Sequence, residues 1–401
     1  MDDVISDLVR DWKLDSTIAS DGSTTQTKYV SNPATGQWRT PVKEKWERTK
    51  NLGRGTFGVV RLEHCTSGPS AGKTRAVKEI QTTFGSSTVE PIVLSRELLA
   101  VIKFSHERYR DCFVQSFGWY DSQDSIFIAM EYHPLGDLES YLSKPLPEVE
   151  ARAISFQILQ GLVFMHQSQF AHRDIKPGNI LVQQKGPNWW VKISDFGASK
   201  QIESTALRTQ VGTEPYLAPE VRGLFAPSDL DLEPNQGFSL AVDIWSVGTI
   251  TFRIAAGRLP FSPQSRDLYR YVIVGSPFPS DDSLSAECTA FISSLMNPSP
   301  RQRPTAAQAL ASLWVSPANP STTNLEPEVN STASKPSSQG EEEASGCWST
   351  FNPALGVPEA PVVVESLPEN SEQSPATIST TRLSALSDSE SRLFTLSASP
   401  T

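Results

Sequence analysis

Between positions 172 and 197 the chain reads His-Arg-Asp-Ile-Lys-Pro-Gly-Asn-Ile-Leu-Val, then a mixed stretch, then Asp-Phe-Gly. Two short apolar runs, Ile180 to Val182 and Val191 with Ile193, read as strands bounded by charged or amide residues. Reactive groups at strand ends are held still by packed backbone. Asp174 offers a carboxylate able to accept a proton from an attacking hydroxyl. Asn179 and Asp195 offer the hard oxygen ligands that Mg²⁺ takes. The string therefore suits a site where a nucleotide's terminal phosphate is transferred.

Segments on either side organise the chain around that string. Strand-like alternation dominates from about Trp46 to Ile80, a helical stretch covers Ser95 to Phe104, and paired strands follow to Met130. Helical segments then take over at Glu148 to Gln167, Leu240 to Ala256, Ala286 to Met296 and Thr305 to Ser312. Residues 1–45 read as a flexible leader. Its Val4, Ile5, Leu8, Val9 and Trp12 lie at helical spacing, which leaves open a frayed terminus or a short docking helix. Residues 316–401 are rich in Ser, Thr, Pro and Glu, too poor in apolar groups to offset ordering entropy, and read as a disordered acidic tail.

Charge narrows the partners. The formal net charge is −10 over 401 residues. From Ser316 onward eleven acidic residues face three basic ones, so the tail carries most of the imbalance. That disfavours nucleic acid or an anionic membrane surface as the main partner. With only Lys335, Arg382 and Arg392 in the tail, a basic calmodulin-binding helix is disfavoured too. Cys65, Cys112, Cys288 and Cys347 lack metal-like spacing. Without a secretory leader they read as reduced thiols of an intracellular chain, cytoplasmic or nuclear. Ser316, Ser374, Ser399 and Thr40 precede proline, as sites for a proline-directed kinase do.

Upstream, Gly53, Gly55 and Gly58 punctuate a strand–turn–strand pattern. There backbone amides can approach phosphate oxygens closely, with Val60 covering a base. The absence of a following helix disfavours a dinucleotide fold. In Arg75-Ala76-Val77-Lys78 one lysine interrupts an apolar strand. It is either an ordinary edge lysine or, after such a loop, a partner for the α- and β-phosphates. Glu97 on the next helix is the candidate that anchors Lys78, and Glu90, beside Pro91, is the alternative.

Taken together, residues 46–315 resemble a complete eukaryotic protein kinase domain. The resemblance implies an α+β, bilobal fold: a small antiparallel N-lobe sheet with one main helix, to about residue 131, and a larger, mainly helical C-lobe. It implies ATP and Mg²⁺, with Asn179 and Asp195 on the metal. It makes Asp174 the catalytic base, with Lys176 steadying the transferring phosphoryl group and Lys78 and Glu97 aligning the phosphates. Ala76, Met130, Glu131, Asp137 and Leu181 would line the nucleotide pocket, with the hinge backbone binding adenine and Asp137 meeting the ribose.

Lys176 followed by Pro177 resembles the serine/threonine branch. Thr213 would bond Asp174 and Lys176. Arg173 would pair with a phosphothreonine, Thr209 first and Thr205 second, placed there by an upstream kinase or by autophosphorylation. Asp243 would bond the catalytic-loop backbone, and Arg303 would pair with Glu220. A catalytically silent scaffold would be expected to lack Lys78, Asp174 or Asp195, and all three are present. A small-molecule kinase is disfavoured by the full segment ending at Glu220. Gly223 to Phe238 reads as a loop insertion.

Overall fold

The computed structural model describes residues 7–55, 58–84, 87–88, 91–201, 212–229 and 240–316. Short helix α1 (Asp7–Asp11) leads into β1 (Ser16–Ile18), β2 (Thr24–Asn32), β3 (Gln37–Gly55), β4 (Gly58–Ser67) and β5 (Thr74–Gln81). Two-residue strands β6 (Thr83–Phe84) and β7 (Ser87–Thr88) precede α2 (Pro91–Phe104), β8 (Ser116–Asp121) and β9 (Ser125–Met130). Seven of these strands form one antiparallel sheet in the order β1-β2-β3-β4-β5-β9-β8.

Residues 7–45 are not the flexible leader the sequence suggested. Residues 16–18, 24–32 and 37–45 lie in strands of the main sheet, and Val9 is buried. Hydrophobic alternation missed these strands because their inward residues are polar: Thr24, Gln26 and Glu44 are buried. Gln26 accepts from Arg75, which also forms a buried pair with Glu63 and stacks over Trp46. A strand recruited by a buried polar network carries no apolar period-two signal.

The stretch before β1 also ties the two ends of the sheet together. Trp12 and Leu14 exchange backbone hydrogen bonds with Trp119 on edge strand β8. Asp15 then accepts from Thr27, and Ser16 pairs with Gln26 on β2. Closing a sheet in this way removes an open edge that would otherwise template aggregation.

Beyond Met130 the chain is mainly helical: α3 (Glu148–Gln167), α4 (Ala241–Ala256), a single turn α5 (Asp267–Tyr269), α6 (Ala286–Leu295) and α7 (Ala306–Leu310). In α3 the buried residues Ala151, Ile154, Ile158, Leu162 and Met165 recur at helical spacing and face α4 and α7. Helix α4 is buried from Val242 to Phe252, its polar Asp243, Ser246, Thr249 and Thr251 included, and Gly257 closes it in the left-handed conformation. Short strands β10 (Phe170–Ala171), β11 (Ile180–Gln184), β12 (Trp190–Ile193) and β13 (Lys200–Gln201) pair β10 with β13 and β11 with β12. Among the described residues no helix is long and apolar enough to cross a membrane. The tail from residue 317 and the insertion beyond Asp229, to residue 239, lie outside the described residues.

Candidate active site

The β11–β12 hairpin fixes the centre of the site. Ile180 pairs with Ile193 and Val182 with Val191, and all four side chains are buried. Asn179 therefore sits directly before one strand and Asp195 shortly after the other. Ser194 donates its N–H (2.9 Å) and its hydroxyl (3.0 Å) to the Asn179 carbonyl, locking the hairpin mouth.

Asp174 faces this mouth with both carboxylate oxygens held in place. Oδ1 accepts the Thr213 N–H and hydroxyl, both at 3.0 Å. Oδ2 accepts Lys176 Nζ at 2.6 Å and Asn179 Nδ2 at 3.0 Å. Lys176 Nζ also donates to the Thr213 hydroxyl oxygen at 2.6 Å. Three residues, the furthest 39 positions away, thus orient one carboxylate. The loop beneath them is held by Asp243, at the start of α4, which accepts the His172 N–H (2.9 Å) and Arg173 N–H (2.8 Å) as well as His166 Nε2 (2.9 Å). Burial works against the Asp243 charge, but His166, His172 and the loop amides outweigh it and hold the carboxyl below its usual range.

Lys78 and Asp195, 117 positions apart, meet at 2.8 Å. Asp195 has a left-handed backbone (φ 61°) and also caps the following turn through the Gly197 N–H. Burial raises its pKa, whereas the Lys78 ammonium and the Gly197 amide lower it, and the net direction is down. Phe196 wedges this turn against Phe104 of α2 in a stacked contact with ring centroids 5.6 Å apart.

Strand register gathers the remaining wall. Lys78 lies opposite Val60 on one side and Ile128 on the other, and Ala76 lies opposite Met130. A cleft lined by Val101, Val114, Ile128 and Met130 ends at Lys78 and Asp195. The glycine hairpin continues from the strand beside Lys78, with Gly53 opposite Val60 and Gly55 opposite Gly58. At Gly58 the need for glycine has a local cause: φ is 139°, and a Cβ would lie 2.0 Å from the Glu79 carbonyl oxygen. Gly53 is open, with nothing within 4 Å of an added Cβ.

Other anticipated residues have mixed placements. The Glu131 N–H is committed to the Gln115 carbonyl, leaving its own carbonyl as the backbone group it can offer. Asp137 spends one carboxylate oxygen capping a turn through the Ser140 N–H and hydroxyl, and its backbone bridges Leu181. Glu97 lies on α2, with its side chain outside the described residues. Thr205, Thr209 and Glu90 also lie outside them. Arg173 adopts a left-handed backbone (φ 70°), and burial pushes its guanidinium pKa down against the opposing pull of Asp243.

The donor set fits a hard divalent cation. Asn179 Nδ2 donates to the Asp174 carbonyl (2.7 Å) as well as to its carboxylate, so the amide oxygen is turned away from Asp174. One amide oxygen and one carboxylate then belong to a single rigid hairpin, a combination suited to Mg²⁺ shared with phosphate oxygens.

Sequence reasoning missed a second charged cluster behind the hinge. Glu131 Oε1 accepts from Lys192 (2.7 Å) and the Gln115 N–H (2.9 Å), with His133 Nε2 at 3.3 Å. Burial opposes the Glu131 charge, but these partners bring its pKa from 4.5 to about 2. Lys192 stands opposite Leu181 in the β11–β12 hairpin, so only a fold places it beside Glu131.

A family model described as "Protein kinase domain" matches residues 46–315. The chain is 36% identical over 275 residues to "Serine/threonine-protein kinase RAD53" of Saccharomyces cerevisiae, covering 66% of this chain and 32% of that protein. It is 30% identical to "Mitogen-activated protein kinase kinase kinase ANP1" of Arabidopsis thaliana, over 75% of this chain and 46% of that one. To "Calcium/calmodulin-dependent protein kinase type 1" of Caenorhabditis elegans it is 32% identical, over 69% and 75%. The chain thus spans about a third to under a half of the first two relatives.

Proposed function

The chain belongs to the protein kinase domain family, and from that premise we propose that it transfers the γ-phosphate of ATP to serine and threonine hydroxyls of protein substrates. The observation that carries the reading is the Asp174 carboxylate, held by Thr213, Lys176 and Asn179 beside the Lys78–Asp195 pair. Asn179 and Asp195 would hold Mg²⁺, which when bound screens the charge of the phosphate oxygens.

Each remaining step belongs to this chain's side chains. Lys78 aligns the phosphate chain, and Glu97 on α2 is its anchor. An incoming hydroxyl donates to an Asp174 oxygen, which orients it in line and takes its proton. The Lys176 ammonium, 2.6 Å from that carboxylate, offsets charge building on the transferring group. Glycines 53 to 58 cover the phosphates, and the Glu131 carbonyl, Ala76, Val60, Met130 and Leu181 hold the base. Asp137 keeps one carboxylate oxygen for the ribose. Residues 46–315 act as the catalytic domain, with 316–401 as an appended tail. Phosphorylation at Thr209, paired with Arg173, would order the segment from Asp195 to Glu220.

Incubating the full chain with Mg²⁺ and ATP against a degenerate peptide library tests this. The expected product is phosphoserine and phosphothreonine without phosphotyrosine. Phosphotyrosine as the main product, or no transfer after the activation segment has been phosphorylated, contradicts it.

A further inference from the structure

The N-terminal segment that closes the sheet also reaches the back of the catalytic machinery. Val9 is 1% exposed and belongs to the same core cluster as Leu98, Val101 and Ile102 of α2, and α1 packs against that helix. Its carbonyl accepts the indole N–H of buried Trp119 at 2.7 Å. Next along the chain, Leu14 donates its N–H to the Trp119 carbonyl (2.7 Å), and Lys13 pairs with Asp121 at 2.9 Å. Leu14 and Ile18 turn the other way, packing on Val77, Tyr120, Phe127 and Ala129. The segment therefore straddles β8, with one end against α2 and the other inside the sheet.

Strand β8 is shaped for this passenger. Gly118 has φ 127°, and a Cβ there would lie 2.7 Å from both the Trp12 carbonyl and Leu14 Cδ2. An exposed edge strand has no need of such a close approach. Helix α2 carries Glu97, and its Phe104 stacks on Phe196 of the Asp195 turn. Whatever fixes α2 therefore acts on the helix that carries Glu97 and on the Asp195 turn that meets Lys78.

We propose that residues 7–18 are a built-in positioning clasp for the phosphoryl-transfer reaction: by filling the groove between α2 and β8 they hold α2 in its working seat. Val9 and Trp119 are its positioning residues; neither touches the reacting groups. The proposal rests on the kinase reading above. Withdrawing the clasp leaves the peptide-binding side intact, so it lowers turnover while leaving peptide KM in place.

The test uses full-length Val9→Asp, Val9→Ile and Trp119→Phe, the last removing the N–H donated to the Val9 carbonyl together with part of the buried indole ring. Activity and hydrogen exchange are read at a temperature where each variant stays folded. Val9→Asp is expected to lose about tenfold in kcat with peptide KM within about twofold, while Val9→Ile retains activity. Amides of residues 91–104 exchange faster in Val9→Asp, and those of 241–256 do not. Should Val9→Asp fail to fold, Trp119→Phe carries the test, with the same pattern at about threefold. Unchanged α2 exchange overturns the proposal, as does kcat that falls only in step with the folded fraction. If the wild type transfers no phosphate, the kinase reading fails, and the exchange comparison still decides whether the clasp seats α2.

Discussion

Arg303 and Glu220 meet fork to fork, each terminal guanidinium nitrogen 2.7 Å from its own carboxylate oxygen, 83 positions apart and both buried. Arg303 also donates to the carbonyls of Asn297 and Ala241, so this one side chain ties the end of the activation segment to α4 and the loop after α6. It carries structure, not chemistry.

Arg303→Ala strands the Glu220 charge, which costs about 3–5 kcal/mol. The melting temperature is expected to fall by about 10 °C. Calorimetry checks it, and a melting temperature equal to wild type would show that the pair contributes little.

Thr213 offers a cleaner separation of chemistry from folding. Its hydroxyl donates to Asp174 and accepts from Lys176. Thr213→Ser keeps both bonds and should stay within about threefold of wild-type kcat, whereas Thr213→Ala should lose about tenfold or more at nearly constant melting temperature. Steady-state kinetics on the two variants decide it.

The hinge cluster sets an acid response. The carboxyl of Glu131 is held at about 2 against 4.5 when free, so it binds fewer protons folded than unfolded in that window. Its stabilising contribution is complete above about pH 4.5 and drains away as pH falls toward about 2. Glu131→Gln should therefore flatten the decline of urea midpoint with falling pH over that range. A variant whose slope matches wild type would disprove the linkage.

Activation is tested outside the described residues. Thr209→Ala should abolish the rise in activity that follows incubation with ATP or an upstream kinase. It should leave untouched the activity seen before that incubation. Phosphosite mapping that finds Thr205 carrying the effect would transfer the role there.

The legible parts of the molecule were those where one residue type has one use. Helices α3 and α4 are apolar stripes bounded by acids and glycine, and they stand where their periodicity put them, within a residue at each end. The convergence of Lys78 on Asp195 was expected from motif order. What stayed hidden was polar. Strands β1 and β2 are held by Thr24 and Gln26, reaching toward Tyr120 and Arg75, which no hydrophobic pattern reveals. Asp137 was read as a ribose ligand, although aspartate is also a good turn cap, and the Ser140 contacts give it that second use. The glycine at 58 looked like a concession to phosphate, yet the Glu79 carbonyl alone demands it.

The most direct test compares single-turnover transfer of the ATP γ-phosphate to a serine peptide by wild type and Asp174→Asn, with Lys78→Met alongside. Asn is isosteric but a poor proton acceptor, so the fold and nucleotide affinity should persist. The transfer rate should then fall by about 10³-fold or more for Asp174→Asn. Transfer by Asp174→Asn at a rate near wild type would contradict the account.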